Sequence, residues 1–132
     1  MQAVFGANKH LNASLRAWNR THTSRRRKEF YTDQASMREN QLPPRVGRDL
    51  HLAAERKVLS RVRNMHSQCV RPAFVNGEHV VIRWMFVFEW LDGSVTKMEE
   101  IAYQRWEAER IAEEQFFYDP AQRQPKRRDE QE

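Results

Sequence analysis

The sequence predicts an α+β domain in which a strongly curved sheet, antiparallel or mixed, wraps around N-terminal helices and leaves an interior pocket. Three observations carry this reading. Residues His79 to Asp119 form three long strand-like runs, HVVIRWMFVFEWL, SVTKMEEIAYQRW and RIAEEQFFYD. Only the short breaks Asp92-Gly93 and Glu107-Ala108-Glu109 separate them, so the runs form a tight meander that must bend around something. The helical periodicities all come earlier, and helices followed by strands is an α+β order.

The elements follow in turn. From Asn8 to Tyr31, Leu11, Leu15, Trp18, Phe30 and Tyr31 recur at helical spacing, which predicts one or two helices. The hydroxyl residues of Thr21-His22-Thr23-Ser24 can cap a second helical segment over Arg25 to Tyr31, which Asp33 ends. Ala35 to Asn40 reads as a short strand. Leu42 to Gly47 holds Pro43-Pro44 and reads as a loop. Residues 48–63 form an amphipathic helix with Leu50, Ala53, Ala54, Lys57, Val58 and Arg61 toward a sheet, and Arg48, Glu55, Arg56 and Arg63 away from it. Met65 to Phe74 is a strand, and Asn76-Gly77 is a hairpin signal. One domain is expected over residues 1–122. The tail 123–132, RQPKRRDEQE, has no apolar anchor and is expected to fray.

Composition bounds the function. A hydrophobic fraction of 39% with 4 Trp, 3 Tyr and 7 Phe describes a folded domain rather than a disordered basic chain. No apolar run is long enough to span a membrane, and MQAVFGANKHLN lacks the pattern of a secretory signal, so a cytoplasmic location is expected. The lone Cys69 allows no internal disulfide, and with five scattered histidines it gives no zinc spacing. It reads as a buried structural thiol, because His66, three residues away, would lie on the opposite strand face.

Net charge is +5, but residues 1–66 hold 14 Lys and Arg against 5 acids, and residues 67–132 hold 9 against 13. The densest basic run, Arg25-Arg26-Arg27-Lys28, lacks interleaved aromatics for base stacking, so it reads as a solvated helix face and nucleic acid is not the expected partner.

The strand faces locate candidate chemistry. After Asn76-Gly77 the even positions Val80, Ile82, Trp84, Phe86, Phe88 and Trp90 are all large and apolar, so that face is buried. The odd face, with Val81, Met85 and Val87 around Arg83, is half apolar and suggests a subunit interface. In the next strand Trp106 shares its inward face with Glu100 and Gln104, and in the last strand Glu114 shares one with Phe116 and Tyr118. Such inward polar groups must find partners. They either pair within the fold or line a ligand cavity as acid, base or hydrogen-bond acceptor.

The residues that carry the late strands also carry a resemblance. Gly93, then Glu99-Glu100-Ile101-Ala102-Tyr103-Gln104-Arg105-Trp106, Arg110-Ile111, Glu114 and Phe116-Phe117-Tyr118-Asp119-Pro120 resemble the end of SnoaL-like proteins of the nuclear-transport-factor-2-like superfamily. Ala17-Trp18-Asn19, Tyr31-Thr32-Asp33 and Gly47-Arg48 look like the same family's N-terminal half, so the likeness runs over residues 8–122. It implies a cone-shaped α+β fold with a deep hydrophobic pocket, a homodimer through the outer sheet face, no cofactor and a small apolar organic ligand. Isomerases, cyclases, dehydratases and non-catalytic modules share that fold, so fold transfers and activity does not.

Compared with the ketosteroid isomerases, Glu39 falls on the position of the catalytic base, but Ser14 stands where the oxyanion Tyr is expected, and Gln68 to Phe74 holds no Asp for the third role. The resemblance therefore argues against that isomerase. Under a cyclase or dehydratase reading, Glu100 or Glu114 would act as general acid or base, with Glu39 as a further candidate. Trp18, Tyr31, Trp84, Phe86 and Phe116 would wall the pocket, with Gln104 and Tyr118 as further ligand contacts. The alternative is a non-catalytic binding or assembly module whose cone is filled by its own aromatic side chains.

Overall fold

The computed structural model describes residues 28–127. The N-terminal helical region with Ser14, Trp18 and Arg25 to Arg27, and residues 128–132 of the tail, lie outside these residues. The elements are a single 3-10 turn Lys28–Phe30, then β1 (Tyr31–Glu39), β2 (Arg45–Val46), α1 (Arg48–Leu59), β3 (Val62–Asn76), β4 (His79–Trp90), β5 (Val95–Glu107), β6 (Arg110–Phe117) and a final 3-10 turn Pro120–Arg123.

The six strands form one sheet in the order β2-β1-β6-β5-β4-β3. All neighbours are antiparallel except β1 and β6, which run parallel, so the sheet is mixed. Its curvature has a local cause. Register shifts interrupt β1/β6 between Tyr31 and Ser36, β3/β4 in two places, and β5/β6 between Arg105 and Trp106. Each such irregularity bends its strand.

Four local expectations are corrected. Tyr31 begins β1 rather than ending a helix, because it pairs with Ile111 of β6 and its hydroxyl reaches the inner face of that strand. The prolines at 43 and 44 do not prevent a ladder immediately after them: Arg45 and Val46 pair with Met37 and Ser36. The turn between β3 and β4 is centred on Gly77-Glu78, with Gly77 at φ 61, while Asn76 stays in the ladder opposite His79. Helix α1 ends at Leu59, since Arg61 already bonds the backbone of Leu91 at the sheet margin.

The buried stripe of α1 also differs from the predicted one. His51 and Leu52 are buried, whereas Leu50 is 55% exposed and Ala53 and Ala54 face solvent. The imidazole sets this rotation: His51 Nε2–H donates to the Ala35 carbonyl at 2.9 Å, the same carbonyl that accepts the Gly47 N–H at 2.9 Å. Gly47, at φ +119, makes the corner that only glycine adopts freely. The Arg48 guanidinium, 2.9 Å from Asp33, fastens the helix start to β1.

The core lies on the concave face: Tyr31, Ala35, Val80, Ile82, Trp84, Ala102, Trp106 and Ile111 form one buried cluster. Cys69 packs against its rim, half-buried, and burial pushes its thiol up from the ordinary value. The first residues of the tail are tied to the sheet by backbone. Lys126 and Val95 exchange two hydrogen bonds of 2.8 Å, and the Glu99 N–H donates to Gln122 Oε1 at 2.6 Å. No helix among the described residues is long and apolar enough to cross a membrane.

Candidate functional site

Strand alternation splits two acidic pairs between opposite faces of the sheet. In Glu99-Glu100 and Glu113-Glu114 the first residue faces out and the second faces the concave wall. Outward, Glu99 pairs with Arg83 and Glu113 with Arg105. Inward, the arrangement is different in kind. Glu114 is 2% exposed and accepts from the Tyr31 hydroxyl at 2.8 Å and from Gln104 Nε2 at 2.5 Å. The Trp106 indole N–H donates to Gln104 Oε1 at 2.9 Å, which fixes the orientation of that amide. Four side chains from three strands thus form one hydrogen-bonded chain, Tyr31–Glu114–Gln104–Trp106.

Glu100 lies one inward position beyond Ala102 and opposite Trp84 of β4. Its carboxyl is pushed up to about 7, first by burial, then by the negative charges of Glu114 and Glu39, against the opposing pull of Arg123. Glu39 ends β1 with its Cα paired to Phe116, and Arg123 Nη1 stands 3.6 Å from its Oε2. The same guanidinium nitrogen donates to the Tyr118 hydroxyl at 3.3 Å. Burial, and then the nearby Glu39 carboxylate, push the Tyr118 phenol up, while Arg123 acts in the other direction.

Asn40 holds this end of the site together. It sits at φ 50, a left-handed conformation that Asn tolerates. Its N–H donates to the Phe116 carbonyl at 2.7 Å, its own carbonyl accepts from Gln115 Nε2 at 2.7 Å, and its Oδ1 accepts the Tyr118 N–H at 3.0 Å. These bonds clamp the end of β1 to the end of β6 and bring Glu39 to Tyr118. The other margin is aromatic. Trp84, Phe86, Phe88 and Trp90 stack along β4 with centroid spacings of 5.8, 6.0 and 5.6 Å.

Of the residues singled out in the sequence, the fold brings Glu39, Glu100, Glu114, Gln104, Tyr31, Trp84, Phe86, Phe116 and Tyr118 to the concave side, and Trp18 lies outside the described residues. Tyr31 and Gln104 are spent on Glu114 rather than offered to a cavity. Arg123 and Asn40 were missed. Arg123 stood in a charged tail, and its one signal was the preceding Asp119-Pro120: Asp119 Oδ1 accepts the Ala121 N–H at 3.0 Å and starts the turn that carries Arg123 back. Two open grooves, about 530 and about 250 Å³, lie on the outer side and share Ser36, Arg105 and Glu113. Among the described residues no group of His, Cys, Asp and Glu could hold a metal ion.

A carboxyl that gains and loses its proton near neutrality can serve as acid in one step and base in the next. Beside it, the Tyr118 hydroxyl and the Arg123 guanidinium can donate to an oxygen that becomes negative.

No protein-family model matches this sequence, and no curated protein matches it. Solved structures do. A phenazine biosynthesis-related protein from Pseudomonas aeruginosa superposes with a TM-score of 0.75 at 12% identity, over 92% of this chain and 86% of that one. A structure of TerC co-crystallised with polyporic acid gives 0.69 at 10%, over 87% and 92%. A protein described as a SnoaL-like polyketide cyclase from Jannaschia gives 0.64 at 12%, over 89% and 85%. At these identities the likeness concerns the fold, and there the expected resemblance holds: the chain has the nuclear-transport-factor-2-like α+β cone fold that SnoaL-like proteins share.

Proposed function

We propose that this chain binds a small organic molecule against the concave wall of the cone and moves a proton on it with Glu100, without a cofactor. The observation that carries the reading is the Glu100 carboxyl itself, inward-facing, beside Tyr118 and Arg123, and held at about 7 by burial and two neighbouring carboxylates. Isomerisation, cyclisation and dehydration next to a carbonyl all need a proton taken from one atom and returned to another. The aromatic run of β4 offers flat apolar surface for the remainder of the ligand. The co-crystallised polyporic acid of one structural neighbour supports a ligand of that general size.

Nitrobenzisoxazole tests the reading without knowledge of the natural substrate. A carboxylate base removes its ring C–H proton, the electrons form the nitrile, and the N–O bond breaks to release a phenolate. With Glu100 as the base, the rate rises with pH through about 7 and then levels. Glu100→Gln lowers it by about 10² or more. Binding with no elimination by the wild type would instead favour the non-catalytic module, and a pH profile unchanged by Glu100→Gln would reject Glu100 as the base.

We also infer that the outer sheet face joins two copies. Phe74, Val81 and Tyr103 form one row across β3, β4 and β5, with Met85 and Ile101 beside it. Phe74 is 66% exposed, and Met85, Ile101 and Tyr103 are each at least 40% exposed. An apolar surface spread over three strands, with the Arg83–Glu99 pair set within it, suits a self-complementary contact. Sedimentation equilibrium should give a dimer that Ile101→Glu converts to a folded monomer. A wild type that is monomeric at high micromolar concentration would rule this out.

A further inference from the structure

On the outer face, strand alternation lines up two polar rows across β1, β6 and β5. One row is Ser36, Glu113 and Arg105, and the next is Arg38, Gln115 and Tyr103. In the first row the cation is matched, because Arg105 Nε donates to Glu113 at 3.1 Å and its Nη1 to Glu107 at 3.1 Å. In the second it is not. Gln115, the register neighbour of Arg38, turns its amide N–H to the Asn40 carbonyl at 2.7 Å. Among the described residues Arg38 has neither a hydrogen bond nor a carboxylate partner, and its Nε is buried without an acceptor. A guanidinium carries five donors and no acceptor, so a half-buried one with none of them engaged is costly until an anion reaches it. The Arg38 side chain borders the outer groove of about 250 Å³ with Ser36 and Tyr103, whose hydroxyls make no hydrogen bond among the described residues. The carboxyls along that wall are already engaged: Glu113 by Arg105, and Glu114 by Tyr31 and Gln104 on the concave side.

We propose that this groove is an anion site, in which the Arg38 guanidinium, with the Ser36 and Tyr103 hydroxyls, takes the carboxylate or phosphate group of a small molecule. The planar fork of an arginine matches two oxygens of either group. With Arg105 held between Glu113 and Glu107, Arg38 supplies the uncompensated charge. The groove, at about 250 Å³, is smaller than the roughly 300–1,000 Å³ of sites for drug-sized ligands, so it suits a small acid or the acidic end of a longer one. The site stands apart from the proton transfer assigned to the concave wall: Arg38 and Glu39 are consecutive, and alternation sends one outward and the other inward. A carboxylate from a second copy is the rival occupant. The row of Arg38 continues through Gln115 and Tyr103 to Val81 and Phe74, so it is cationic at β1 and apolar at β3. A dimer centred on the apolar end leaves Arg38 at its margin, with the groove open to a free anion.

The experiment is nitrogen-15 NMR of the arginine Nε–H groups in the full chain, titrated with acetate and, separately, with inorganic phosphate, at an ionic strength held constant with chloride. The resonance lost in Arg38→Lys is that of Arg38. It should move saturably, with half-saturation at about 10 mM or below, while the resonance of Arg83, paired with Glu99 on the same face, stays in place. Saturation by acetate identifies a carboxylate ligand, and saturation by phosphate a phosphorylated one. Arg38→Lys keeps the charge and loses the fork, so its affinity, followed at the backbone amides of Ser36 and Tyr103, should fall about tenfold. If that variant does not fold, Ser36→Ala removes one donor and should weaken binding about threefold or more. A shift that never saturates, or one of equal size at Arg83, is ionic screening and overturns the inference, as does undiminished affinity in Arg38→Lys. An Arg38 resonance that follows protein concentration instead of added anion, and loses that dependence in Ile101→Glu, gives the groove to a second copy and overturns it as well. None of these outcomes bears on Glu100, which the elimination assay decides.

Discussion

The two faces of one sheet handle identical side chains in opposite ways. Glu113 is 59% exposed at its side chain and pairs with Arg105, whereas Glu114, the next residue, is 2% exposed and accepts from the Tyr31 hydroxyl and the Gln104 amide. Glu99 pairs with Arg83 in solvent, while Glu100 is pushed up to about 7. The backbone conformation and the strands are the same. What differs is the medium, because water screens the outer pairs and makes each worth little, whereas the inner face must satisfy every polar group from within or hold it uncharged. Function is therefore expected on the side where a charge is expensive.

The largest expected effect measures that asymmetry in packing. Trp106 is 1% exposed in the core cluster, and its N–H completes the chain to Glu114. Trp106→Ala removes the indole, opens a cavity and leaves Gln104 Oε1 without its donor, at a cost of about 3–5 kcal/mol. Phe74, also aromatic but 66% exposed on the outer face, should cost about 0.5 kcal/mol or less in the monomer when replaced by Ala. Urea unfolding at low protein concentration reads both. Equal losses would mean that the outer row is as buried as the inner one, and the contrast between the faces would collapse.

The sequence makes this contrast legible wherever a strand keeps a strict period of two. Val80, Ile82 and Trp84 are 3% exposed or less, as the even face of β4 predicts, whereas Phe86, Phe88 and Trp90 of the same face are only half-buried among the described residues. Glu100, Gln104 and Glu114 were readable as inward because they alternate with Ala102, Trp106 and Phe116. Their partners were not. Tyr31 is 83 residues from Glu114 in the chain, and a pairing of β1 with β6 leaves no trace in local periodicity. The same holds for α1, where a pattern of apolar residues pointed to Leu50, Ala53 and Ala54, and one imidazole bonded to the Ala35 carbonyl turned a different stripe inward. Arg123 was hidden by composition. A tail without apolar residues can still be anchored by its backbone, as Lys126 is to Val95.

A smaller effect, but with a sign that separates the faces, comes from neutralising one acid at a time. The Glu100 carboxyl stands at about 7 in the folded protein against an ordinary value of 4.5. Between those values the folded state keeps a proton that the unfolded chain has lost. The stability it contributes is fully present below about 4.5, declines as pH rises, and is gone above about 7. The ceiling for the full interval is about 3 kcal/mol, and the residual exposure of this group reduces it. Glu100→Gln carries no such proton. It should match the wild type near pH 4 and become the more stable protein near pH 8 by about 2 kcal/mol. Glu99→Gln changes the same chemical group one residue earlier, and it should do the reverse, losing about 0.5 kcal/mol or less with its solvent-exposed Arg83 pair. Thermal unfolding of the three proteins across this range gives the comparison. If the Glu100→Gln curve runs parallel to the wild type from acid to alkaline pH, the inner carboxyl is no costlier to ionise than the outer one, and the concave wall loses its claim to the chemistry.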